Sequence, residues 1–267
     1  MDRLTNPPDY SVLDRREILQ FVFFPRRDWT PAPYGARDFF VPVSEGVSIS
    51  ARLYQAAESI ATILYFHGNG EVACDYDWLA PEYNRLGVSL FVADYRGYGR
   101  SSGRPTINSM IADSLDIFEF FRDVVVQPKN GLFVMGRSLG SMSALTIASQ
   151  RADQIAGLIV ESGFPAVTRI LSYLGYFIND SGIPELEAQS LALVASIGLP
   201  TLVIHGDGDT LIPYEEGQLL YNTLSSPFKK MLTIDGAGHN DIMIVGRKLY
   251  FEAIAEFVGT VRKKFSQ

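Results

Sequence analysis

Cysteine is almost absent: Cys74 is the single one in 267 residues. No intramolecular disulfide can form, which excludes a disulfide-stapled scaffold, and a lone thiol of this kind fits a packed side chain in a reducing compartment. Histidine is nearly as scarce. His67, His205 and His239 are scattered along the chain, so with one cysteine there is no metal-ligand spacing, and the residues call for no cofactor. Apolar runs of membrane-spanning length are missing as well. The stretch MDRLTNPPDYSVLDRREILQFVFFPRR carries charges and prolines where a signal peptide needs an unbroken apolar core, so the expectation is a cytoplasmic chain without leader or membrane span. Positive charge is in deficit. Lys and Arg total 23 against 30 Asp and Glu, a formal net charge of -7, and the basic clusters stop at Arg26-Arg27 and Arg262-Lys263-Lys264, which argues against a nucleic-acid partner.

What is present is apolar residue in quantity, 47% of the chain, enough for one substantial core, so a single domain over residues 1–267 is expected. Phe39 to Val43 and Val47 to Tyr54 alternate around Ser44-Glu45-Gly46 as an antiparallel hairpin would at a sheet edge. Beyond them the pattern changes. ATILYFHG, VSLFVADY, GLFVMG, IAGLIVES and PTLVIHG are runs suited to strands buried on both faces, and KKMLTIDG resembles a sixth. Helix-period segments at Tyr76 to Leu86, Ile107 to Val125 and Ser141 to Arg151 lie between the earlier runs. Strands therefore alternate with helices, which predicts an α/β fold with a mostly parallel sheet whose ligand site lies at the strands' carboxyl edge. One connection is too long for that rhythm. Gly163 to Leu199 holds two helix-like pieces, Ala166 to Ile178 and Pro184 to Ile197, and is expected to form a small helical cap over the site rather than a hairpin that only packs.

In GLFVMGRSLGSMSAL a strand meets a helix with almost no loop. A residue at the apex of such a turn is forced into strained dihedrals, tolerated because Gly136 and Gly140 on either side lack side chains. That apex residue is Ser138, and its hydroxyl would stand above the strand end at the positive end of the new helix. A serine nucleophile needs a base. His67 and His205 end buried runs and read as loop-bracing residues, whereas His239 sits in the loop DGAGHND after the last strand. For the carboxylate that orients the base, Asp209 reaches out beyond the strand end; Asp207 is ordinary turn chemistry beside glycine, and Glu161 is a rival from the neighbouring strand. Donors for a developing oxyanion are expected from the backbone N–H of Leu139, next to the serine, and of Asn69 in HGNG. Asp94 to Gly103, DYRGYGRSSG, either shapes the pocket rim or has its Asp and Arg bound to one another.

HGNG, GRSLG, HGDGDTLIP and GAGHND together, spanning residues 61 to 243, resemble the α/β-hydrolases. FHGNGE, DYRGYGRSSG, ESGF and FFPRRD are similar within them to the BEM46-like group of serine hydrolases, which includes the ABHD13- and ABHD17-like proteins. The resemblance implies an eight-stranded, mostly parallel sheet with a cap between the sixth and seventh strands, where Gly163 to Leu199 falls. Eukaryotic members of the group carry a membrane anchor or a lipidated cysteine-rich start, and neither is in this sequence. Serine at the elbow sets the chain apart from relatives that use aspartate there. The implied chemistry is hydrolysis of a carboxylic ester or thioester, a small-molecule substrate, through an acyl-enzyme carried by Ser138, His239 and Asp209. A peptidase on the same three residues, or a non-catalytic scaffold that binds ligands, are the alternatives. The apolar cap suggests that Tyr173 and Phe177 line an acyl site.

Overall fold

A computed structural model describes residues 7–125 and 131–265; the first six residues of the N-terminal stretch lie outside the described residues. The five apolar runs become strands Ala61–Phe66 (β3), Val88–Ala93 (β4), Gly131–Arg137 (β5), Gly157–Glu161 (β6) and Thr201–Gly206 (β7), buried along their length apart from Gly131. Pleating sends alternate side chains to opposite faces. Leu64, Phe66, Phe91, Val134 and Val160 enter one core, while Ile63, Tyr65, Val92, Phe133 and Ile159 enter the other. Residues that are apolar at successive positions can satisfy only this two-sided burial, and it requires a layer of helices on each face.

The first layer is built by Ile107–Phe120 (α3), Ser141–Gln150 (α4) and Ile183–Ala195 (α6), and the second by Ala80–Arg85 (α2) and Arg247–Phe265 (α9). The hairpin strands Ala36–Ser44 (β1) and Val47–Tyr54 (β2) join antiparallel, and Lys229–Ile234 (β8) closes the far edge, giving the order β1-β2-β4-β3-β5-β6-β7-β8. Every pairing from β4 to β8 is parallel. The carboxyl ends of six strands therefore share one edge, and the loops after them converge there.

Three helices differ from the periodicity. The segment from Tyr76 to Leu86 is a 3₁₀ turn, Ala73–Tyr76, followed by α2, with a proline in its first turn. Pro81 has no N–H to give and would break a helix interior, so it marks a start instead. The helix expected over 107–125 ends at Phe120 and widens into a π-type turn, Phe121–Val125. Between β6 and β7 lie Val167–Tyr173 (α5) and α6, and α5 stops short of the expected Ile178 because the chain turns through Gly175 at φ 86°. Leu186, Leu193 and Val194 draw α6 into the core beside α4, and Val167, Ile170 and Leu171 bring α5 into the same cluster.

Candidate active site

β5 runs through Arg137 into Ser138, which adopts φ 51°, and a 3₁₀ turn, Ser138–Gly140, leads directly into α4. Left-handed backbone at a residue with a Cβ costs about 1–3 kcal/mol and persists only where the surroundings enforce it. The flanking glycines show the enforcement. A Cβ on Gly136 would lie 2.4 Å from the Gly140 carbonyl oxygen, and one on Gly140 would lie 2.2 Å from that of Phe66 on neighbouring β3. Both obstacles are backbone, so neither can swing aside. Gly140→Ala is accordingly expected to destabilise the fold by about 1–3 kcal/mol or more; a variant with an unchanged urea midpoint would show that the elbow has slack.

The loops after β7 and β8 bring the other two residues to this serine. His239 Nε2 lies 3.0 Å from Ser138 Oγ, and His239 Nδ1 lies 2.7 Å from Asp209 Oδ2. Asp209 is itself fixed, because its Oδ1 accepts the Leu211 and Ile212 N–H groups at 2.9 and 2.8 Å. Burial pushes the Asp209 carboxyl up, but hydrogen bonding from His205, His239 and the Ile212 amide outweighs it and holds the group well below the usual carboxylate range. All three side chains are nearly closed off from solvent. Asp207, the other aspartate of the loop, accepts the Gly236 N–H at 2.6 Å and so ties the two loops together.

The remaining histidines brace strand ends. His205 Nε2 reaches the Ile212 carbonyl at 2.9 Å, and His67 Nδ1 lies 2.8 Å from the Gly68 carbonyl, with its Nε2 3.3 Å from Asp94. Asp94 and the arginines of its loop do not pair. Asp94 accepts from Ser50 Oγ and the Ala73 N–H, while Arg96 binds Asp113.

Leu139 stands in the first turn after the serine, where helical N–H groups have no intrahelical acceptor. The Asn69 N–H has no protein acceptor among the described residues. Its side chain is held by three bonds: Nδ2 donates to the Val22 carbonyl at 2.8 Å, and Oδ1 accepts from the Phe24 N–H and Tyr98 Oη. The HGNG loop is thereby stitched to the chain that follows Arg16–Val22 (α1).

Sequence reasoning passed over Arg137, although a charge at the end of an apolar strand is a signal in itself. Its guanidinium is buried and donates through Nε to Glu161 at 3.1 Å, through Nη1 to Glu71, and through Nη2 to the His239 carbonyl at 2.7 Å and Asn240 Oδ1 at 3.0 Å. Glu161 Oε2 accepts from Tyr250 Oη at 2.6 Å. Burial pushes the Glu161 carboxyl up, with Arg137 and Tyr250 pulling the other way. Both Glu161 oxygens are engaged away from His239 Nδ1, whose partner is Asp209.

One hollow reaches His239, and a second lies beside α1. A cavity of about 260 Å³ reaches His239, Arg137, Glu71 and Glu161 between Trp78 and the Ile242–Ile244 stretch. A groove of about 310 Å³ runs between α1 and the chain after α5, and is lined by Ile18, Phe21, Leu171, Tyr176 and Phe177. Phe177 is largely exposed along this groove. Tyr173 is instead turned toward the Asp209 loop, its Oη 3.5 Å from the Thr210 carbonyl.

Among the described residues there is no group of side chains that could hold a metal and no helix long and apolar enough to cross a membrane. An eight-stranded, mostly parallel sheet with this elbow defines the α/β-hydrolase class. Comparison with known proteins agrees. The family described as serine aminopeptidase, S33, matches residues 57–175. Protein bem46 of Schizosaccharomyces pombe is 27% identical, covering 76% of this chain and 69% of that protein, and YfhR of Salmonella typhi is 28% identical, covering 93% and 90%. Human α/β hydrolase domain-containing protein 17B is 27% identical over 87% of this chain and 80% of its own. Among solved structures, the Pyrococcus furiosus esterase Pf2001 superposes with a TM-score of 0.71 at 22% identity, covering 88% of this chain and 98% of that one. Est1E of Butyrivibrio proteoclasticus, bound to ferulic acid, gives 0.67 at 21%, covering 82% and 97%. The chain has the α/β-hydrolase fold and resembles the BEM46-like group.

Proposed function

We propose that the chain is a serine hydrolase that cleaves a carboxylic ester or thioester through an acyl-enzyme. The observation that carries the proposal is the chain of contacts Asp209–His239–Ser138 at 2.7 and 3.0 Å, ending on a serine held at φ 51°. His239 Nε2 takes the Ser138 proton as Oγ attacks the carbonyl carbon, Asp209 holds the imidazole in the tautomer that exposes that lone pair, and the Leu139 and Asn69 N–H groups receive the oxyanion. His239 then protonates the leaving group. Water activated by the same nitrogen releases the acid and restores the serine, with no cofactor required. The lone Cys74 supports a cytoplasmic location.

The test is labelling with a fluorophosphonate probe together with turnover of p-nitrophenyl esters from acetate to palmitate. Labelling confined to Ser138 and lost in Ser138→Ala supports the reading, whereas an unlabelled wild type supports a binding scaffold. A peptidase has one observation in its favour, the matched family's description, and it is separated by turnover of aminoacyl amides in preference to esters.

The segment from Gly163 to Leu199 acts in this reading as the cap. Support comes from its attachment on both sides of the serine: Tyr173 reaches the Asp209 loop, and Tyr176 stacks on Phe21 of α1 at 4.4 Å, one residue from the Val22 carbonyl that holds Asn69. Phe177→Ala and Tyr173→Ala are each expected to change the ratio of activities on short and long acyl esters several-fold, about 1–3 kcal/mol of discrimination per altered apolar contact, and to leave the rate of fluorophosphonate labelling largely intact. An unchanged ratio with reduced solubility would assign those rings to packing.

A further inference from the structure

We infer that Arg137 is the positioning residue of the site: its one buried guanidinium sets the spacing between the nucleophile elbow, the base loop and the loop that carries the Asn69 N–H. The inference rests on the serine-hydrolase reading of Ser138, His239 and Asp209. Arg137 is the last residue of β5 and pairs with Glu161 of β6, one residue beyond the last pairing of β5 with β3, so the sheet fixes where its side chain starts. From there its fork reaches three other strand ends. Nη2 binds the carbonyl of His239 itself and Asn240 beside it, Nε binds Glu161 at the end of β6, and Nη1 binds Glu71 after β3. Glu71 passes the constraint on, since its other oxygen accepts the Gly68 N–H at 2.9 Å and Tyr76 Oη at 2.7 Å. Gly68 directly precedes Asn69. Gly68 leaves room for the pair, because a Cβ there would lie 2.4 Å from Arg137 Nη1 and 3.1 Å from Glu71 Oε1.

A planar group with donors fanned in fixed directions suits this task, and an ammonium does not, because a single point charge cannot reach acceptors on a strand end and two separate loops. An ion pair kept for stability alone would not need to spend a donor on the backbone of the base. Here the two strongest directional contacts of Nη2 both fall on the base loop. Misplacement of a reacting group by about 1 Å costs on the order of 10²-fold in rate, so slack in this loop should appear in turnover before it appears in folding.

The experiment compares wild type with Arg137→Lys, which keeps a cation between Glu71 and Glu161 but loses the fork. Turnover of p-nitrophenyl butyrate is measured per site titrated with fluorophosphonate. The downfield proton resonance of the Asp209–His239 hydrogen bond is recorded in parallel, since it needs no substrate. The expected result is a fall in kcat per titrated site of about 10²-fold, KM within about threefold, and a broadened or shifted resonance. Wild-type kcat per titrated site with an unshifted resonance, even at a lowered Tm, would overturn the inference and leave Arg137 as a structural ion pair. If the variant does not fold, Glu71→Gln and Asn240→Ala cut the network at its two outer ends. Each is then expected to lower kcat per site by about tenfold, and wild-type values in both overturn the inference. Failure of the underlying reading looks different: wild type itself is then neither labelled nor active, while the resonance still reports whether Arg137 holds His239 in place.

Discussion

Ser138→Ala and His239→Ala are each expected to reduce ester hydrolysis by about 10⁶-fold, and the double variant should be no worse than either alone. Without Ser138 Oγ there is no atom to attack the carbonyl, and without His239 Nε2, 3.0 Å away, the hydroxyl keeps its proton and stays a poor nucleophile. The two groups act as one device, so removing the second part costs nothing further. Neither side chain belongs to the apolar cores on the two faces of the sheet, so both variants should keep the wild-type circular dichroism spectrum and a cooperative melt. Ala at position 138 still has to occupy left-handed backbone, and its Tm is therefore not expected to rise. Substantial turnover in either variant, measured on p-nitrophenyl butyrate with the protein shown to be folded, would remove Ser138 and His239 from the mechanism.

Asp209→Asn is expected to cost about 10⁴-fold in turnover with little change in shape. The Asn carbonyl oxygen can still accept the Leu211 and Ile212 N–H groups that Oδ1 accepts now. Its amide then faces His239 Nδ1, so donor meets donor unless the imidazole moves its proton to Nε2. Nε2 would in that case present a hydrogen to Ser138 instead of a lone pair. If Glu161→Gln proves the more damaging change, the acid has been misassigned. The same variant carries a pH signature. The folded-state pKa of Asp209 is depressed below its ordinary value of 3.8. Its contribution to stability is thus fully present above that value and is lost as pH falls from there toward the lower folded value. Urea denaturation of wild type and Asp209→Asn should give a stability gap that is constant near neutrality and narrows once the pH drops below about 4. A gap that does not change down to the acid limb would mean that the carboxylate is not held ionised by its neighbours.

Much of the fold was legible because parallel strands buried on both faces need apolar residues at every step, and few other structures do. ATILYF, VSLFVA and TLVIHG could hardly be anything else, and they are β3, β4 and β7. Helix ends were read less well. Pro81 breaks the expected span of the helix after β3, and the turn at Phe121–Val125 has no periodic signature. Of the candidate site residues, Ser138, Asp209 and His239 lie in one chain of hydrogen-bond contacts, while Tyr173, the last residue of α5, turns toward Thr210 and Phe177, beyond the helix, lies along the groove beside α1. Helical periodicity places a side chain on a face. It does not say what that face will meet.

The sequence by itself determined the elements, their alternation, the elbow and the chain order of serine, aspartate and histidine, because each depends on local backbone preference or on burial within a single strand. Gly136 and Gly140 are legible as a pair since the turn they permit is only five residues long. Only the tertiary structure decided which charges meet. Arg137 gathers Glu71, Glu161, the His239 carbonyl and Asn240 from one strand end and two loops that are far apart in the chain, and Asn69 takes its partners from Val22 and Phe24. A buried charge announces that it must have partners, since desolvation is too costly otherwise, but it does not name them. The partners are set by which strand ends the parallel sheet brings side by side, and that is a property of β6, β5 and β3 packed as neighbours rather than of any one segment.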